Sequence, residues 1–76
     1  MNLEPIKHGH YFKPVHNLTH IDVYRVLELF EVTDPCVQHA VKKLLRYGSG
    51  EHKDKAKDIA EAIASLQRWQ AMEAGE

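Results

Sequence analysis

Cysteine is almost missing from this chain. Cys36 is its one thiol, so no intramolecular disulfide can staple the fold. A small chain without disulfides must gain stability elsewhere, and oligomerisation is one usual route. A lone cysteine also fits a reducing cytoplasm. No apolar run approaches the ~18 residues of a membrane span, and residues 1–10 lack the apolar core of a signal peptide. Excess charge of one sign is absent as well. Ten Lys and Arg stand against eleven Asp and Glu, a formal net charge of −1, which disfavours a globally basic nucleic-acid binder. Length is the last shortage. Seventy-six residues make one domain, 1–76, burying only ~60% of its unfolded surface. That excludes a two-domain enzyme, a dinucleotide-binding doubly wound fold and an eight-stranded barrel. What is present is the balance of a globular chain, 43% apolar and 28% charged, together with six histidines.

The pattern predicts an all-α, compact three-helix domain with an extended N-terminal arm. In residues 1–18, Pro5, Gly9 and Pro14 break any helical stripe. Tyr11, Phe12 and Val15 are expected to anchor the arm across the helices, and a short strand is an alternative there. A first helix is expected from about His20 to Glu31, capped by Thr19, with an apolar stripe of Ile21, Val23, Tyr24, Val26, Leu27 and Phe30. Its β-branched content keeps a strand open for 23–32. Thr33-Asp34-Pro35 signals the start of a second helix. Val37, Ala40, Val41, Leu44 and Leu45 form its stripe, and Gly48 suits a left-handed stop after Tyr47. A third helix is expected from Glu51 or Asp54 to Met72, burying Ala56, Ile59, Ala60, Ile63, Leu66 and Trp69.

Near-neutrality hides an uneven distribution. The formal charge runs +1 over 1–20, −3 over 21–34, +4 over 35–57 and −3 over 58–76. His39, Lys42, Lys43 and Arg46 share one face of the second helix, and Lys53, Lys55 and Lys57 follow the glycine turn. A basic face opposite an apolar stripe is commonly a plain solvated face. The functional alternative is a phosphate site. There Arg46 gives a planar fork, Lys42 or Lys43 a point charge, and the next helix start free N–H groups. Gly48-Ser49-Gly50-Glu51-His52-Lys53 lacks the spacing of a kinase phosphate loop.

His8 and His10 fall on one side of an extended arm. With His16 and His20 they could ligate zinc or copper, although no ligand motif supports this. Stacking on a base beside the cations is another use, and Tyr11 and Tyr47 could stack likewise or fill the core. Cys36, in the first turn of a helix, reads as a small core residue rather than a nucleophile. Glu28 and Glu31, and Asp58 and Glu61, sit three apart. They read as surface carboxylates more readily than as a magnesium site. No cofactor and no metal are expected, and no catalytic residue is assigned.

His10-Tyr11, Ile21-Asp22-Val23, Val41-Lys42-Lys43-Leu44-Leu45-Arg46-x-Gly48, Lys53 or Lys55, and Asp58-Ile59-x-x-Ala62-Ile63 occur in that order. Over roughly residues 10–66 this resembles a family of small bacteriophage proteins of unknown function, whose domain is also found attached to a phage nucleotide kinase. That family usually has Gly-Asn at the start of the second helix and tyrosine in its K-Y-L-x-R segment. Here those positions read Val37-Gln38 and Lys43. The resemblance implies a phage accessory protein in the cytoplasm of an infected bacterium, expected not to be an enzyme, with phosphoester or nucleotide chemistry carried by His8 or His10 as the weaker alternative. Two functions are expected from it. One is binding of a phosphate-containing small ligand, such as a nucleotide-derived anti-phage immune signal that it would sequester. The candidate ligand residues are His8, His10, Tyr11, His39, Lys42, Lys43, Arg46, Tyr47 and Lys53, in a pocket shared within a homo-oligomer. The other is a helical interaction module that inhibits a host enzyme or defence complex.

Overall fold

A computed structural model describes residues 11–49 and 54–76, and the expectations for His8, His10, His52 and Lys53 fall outside them. The fold is all-α. Helix α1 spans Val23–Leu29, α2 Pro35–Arg46 and α3 Lys55–Glu73, with no strand among the described residues. Each helix begins where an aspartate can accept its first free amides. Asp22 accepts from Arg25 N, Asp34 from Cys36 N and Val37 N, and Asp54 from Lys57 N. Thr19 does not cap α1, because the helix begins at Val23 with Asp22 as its cap, and the Thr19 hydroxyl bonds the neighbouring His20 ring.

Both stops are left-handed turns. After α1, Glu31 takes φ +56° and Val32 N donates to Leu27 O at 2.9 Å, closing the final carbonyls. After α2, Gly48 takes φ +73°. A Cβ built on Gly48 would meet Lys55 Cγ at 2.5 Å, so this position needs glycine for its dihedral and for its space.

Helices α2 and α3 form an antiparallel hairpin in register. His39 lies level with Ser65, Lys43 with Glu61 and Arg46 with Asp58. Ala40 and Ala62 are buried where the helices meet, and small residues let the axes approach closely. Helix α1 lies against α2, held by Leu27 and by Gln38 Nε2 donating to Val32 O at 2.8 Å.

The buried set corrects the expected stripes. Among the described apolar residues only Leu27, Ala40 and Ala62 are buried, and the fourth buried residue is charged, Asp58. Ile63, Leu66 and Trp69 were expected inside and are 49%, 43% and 38% exposed. Ala56 and Ala60 are exposed too, and Ile59 is half-buried. The cause is rotation of α3. Pairing Asp58 with Arg46 and Glu61 with Lys43 turns its acidic edge toward α2 and its apolar stripe aside. Tyr11, Phe12 and Val15 likewise remain exposed. Lys13 nevertheless reaches the face of Phe30, 5.7 Å from the ring centre, joining the arm to the end of α1.

The hairpin therefore has two unlike sides. The ties to α3 leave from one edge of α2. Helical periodicity places Val37, Val41 and Leu44 on the other edge, beside Ile59, Ile63 and Leu66 of α3. Leu44, Ile63 and Leu66 are exposed and the other three half-buried. Full burial of one such side chain is worth about 1.5–3 kcal/mol, so much of the available apolar stabilisation is unused within the single chain.

Candidate functional site

The expected basic face exists, but the fold divides it. Lys43 Nζ sits 2.6 Å from Glu61, and Lys57 reaches the other oxygen of that carboxylate at 3.9 Å. The Lys43 hydrogen bond, opposed by burial and aided by the charges of Lys43 and Lys57, holds the Glu61 carboxyl below its ordinary pKa. Arg46 Nε is 3.5 Å from Asp58 Oδ1, and Gly48 N donates to Asp58 Oδ2 at 2.9 Å. Arg46 Nε itself is buried and hydrogen-bonds nothing among the described residues. The side chains of Lys43, Arg46, Asp54, Lys57 and Asp58 line a shallow cleft of about 170 Å³. Its cations already face carboxylates of α3, which an incoming phosphate would have to displace.

His39 and Lys42 lie apart from that seam. They line a cleft of about 560 Å³ between α1 and α2, together with Val23, Tyr24, Leu27, Glu28, Glu31, Val32, Thr33 and Gln38. His39 Nδ1 also bonds Ser65 Oγ at 2.5 Å, so its ring sits on the shoulder between cleft and seam. Lys42 forms no ion pair among the described residues. Glu28 on the opposite wall is paired with Arg25. A cleft of this size suits a small ligand or one large side chain of a partner.

Tyr47 stands at the end of α2, half-exposed, with Lys55 Nζ 5.6 Å from its ring centre. Tyr11 is exposed at the start of the described arm. Neither ring lines the α1–α2 cleft. The structure thus brings His39 and Lys42 together, pairs Lys43 and Arg46 with acids, and leaves Tyr11 and Tyr47 outside both clefts. No group of three or more His, Cys, Asp or Glu able to hold a metal occurs among the described residues, and no helix there is long and apolar enough to cross a membrane.

Sequence reasoning missed the partners of the cations. Their signal was present: Asp58 and Glu61 are three apart, as are Lys43 and Arg46, so two antiparallel helices can pair both at once. The open apolar side of the hairpin was also missed, although it is the part of both stripes that excludes these paired residues. No protein-family model, curated protein or solved structure matches the chain, so its fold and surface chemistry carry the functional argument.

Proposed function

We propose that the protein is a helical interaction module, working by burying the open α2–α3 face against another helical surface. The observation that carries this is the half-exposure of Leu44, Ile63 and Leu66 on one side of a hairpin whose other side is saturated with ion pairs. Apolar helix faces are read by helical partners through anchors spaced three and four apart. The chemistry favours binding over catalysis, because the titratable groups of the seam neutralise one another. On the phage resemblance, the protein is an accessory protein whose assembly acts on a host enzyme or defence complex. A wild-type bait and an Ile63→Lys bait of equal helicity test the reading. Stoichiometric capture of a helical partner by the first and not the second supports it. Equal capture by both, or by neither, of any helical partner, an untagged second copy of the chain included, refutes it.

A second reading is favoured by the α1–α2 cleft, where Lys42 and His39 face Tyr24. A phosphate-bearing ligand would place its anion on Lys42 and its ring against Tyr24. A nucleotide panel should then raise the melting temperature of the wild type and not of Lys42→Ala. Absence of any nucleotide-dependent shift removes this reading and leaves the first intact.

A further inference from the structure

We infer that the open α2–α3 face is covered by a second copy of this chain, its α3 antiparallel to the first, to give a four-helix bundle. The inference rests on the interaction-module reading and names its partner. Three observations support it.

First, the face carries the mark of an interface core. Its edge on α3 is formed by Ala56, Ala60, Gln67 and Gln70, all exposed and none charged. Interface centres are depleted of charge while ordinary surfaces are not.

Second, the face is complementary to itself. The hairpin register puts Ala40 level with Ala64, and Ala64 is the midpoint of α3, Lys55–Glu73. A two-fold axis crossing the helices at that level pairs residues equally distant from it. Lys55 then meets Glu73 of the second copy, and Ile59 lies level with its Trp69. Opposite charges meet in two symmetric pairs, as an isologous contact repeats each contact twice. Lys55 and Glu73 form no ion pair within the chain among the described residues.

Third, the described residues bury little apolar surface within one chain. One leucine and two alanines are its buried apolar residues among those described. Two hairpins stacked face to face bury four helical stripes, the standard solution for antiparallel helix pairs. The partner present whenever the chain is made is another copy of it.

Sedimentation equilibrium on the full chain, with a charge-reversal cycle, tests this. The expected mass is twice 8.8 kDa, and Ile63→Lys shifts the chain to monomer. Lys55→Glu and Glu73→Lys each weaken the dimer about tenfold, and the double reversal restores it. The two positions lie about 27 Å apart along one helix, so restoration reads a contact between copies. Lys57→Gln, on the polar side, leaves the mass unchanged. A monomeric wild type overturns the inference, as does a dimer unaffected by Ile63→Lys or one whose double reversal fails to restore affinity. Binding of an apolar dye to a monomeric wild type would leave the interaction-module reading standing with another partner. A monomer that binds no dye would remove both.

Discussion

At the scale of single residues, Asp58 is the most consequential side chain. It is 4% exposed, accepts the Gly48 amide, and faces the buried Nε of Arg46. Replacement by alanine strands that amide and leaves the guanidinium without its counter-charge. Asp58→Ala should therefore lower unfolding free energy by about 1–3 kcal/mol in a urea titration. Ala64→Ser, on the exposed back of α3, should change it by less than about 0.5 kcal/mol. Glu61 makes a pH prediction. Its carboxyl is depressed by the Lys43 hydrogen bond, so the unfolded chain takes up its proton first as pH falls. The stabilisation is present above the ordinary carboxylate pKa and is lost as pH drops through the depressed one. Melting temperature against pH should show that acid-side loss in the wild type, and a smaller one in Glu61→Gln.

At the scale of elements, the stops matter more than the starts. Glu31 holds a left-handed backbone without the freedom of glycine, a conformation costing about 1 kcal/mol for an ordinary residue. Glu31→Gly should raise stability by about 0.5 kcal/mol in thermal melts. The helices themselves were largely legible. Asp34-Pro35 marked the start of α2 and Gly48 its end, because caps are local chemistry. Helix α1 proved shorter than its apolar stripe, since Asp22 takes the capping role expected of Thr19 and Glu31 turns the chain. The buried face of α3 was not legible from its stripe. Hydrophobic periodicity shows which residues seek a neighbour, while the ion pairs from Lys43 and Arg46 decide which edge of α3 meets α2. The candidate site was half legible for the same reason: spacing put His39, Lys42, Lys43 and Arg46 on one face, but only packing shows that the last two are already paired.

At the scale of the molecule, stability is unevenly spread. Helices α2 and α3 are tied along their length, whereas α1 is a short helix of seven residues held chiefly by Leu27 and the Gln38 bond. Local opening follows such differences. Amides of 23–29 should exchange with deuterium faster than those in the middle of α2, by at least about tenfold. Equal protection in both would mean that α1 opens only with the whole fold. A cleft bounded by the looser helix is also where a ligand or partner side chain can be admitted with least disturbance of the hairpin.

The burial of Ala40 and Ala62 where α2 meets α3 carries one more consequence. Acids on α3 recur at Asp54, Asp58 and Glu61, nearly one turn apart. Sliding α3 by one turn would still give partners to the cations, Arg46 facing Asp54 and Lys43 facing Asp58. Charge alone therefore permits two alignments, like a ratchet with equal teeth. The alanine pair breaks the tie, because the slid alignment brings Ala40 toward the bulk of Ile59 and forbids the close approach. Ala62→Leu should act as a change of alignment as well as a loss of packing. Amide and side-chain shifts of Arg46 would then report Asp54 as its neighbour, an outcome that simple unfolding of the hairpin would not produce.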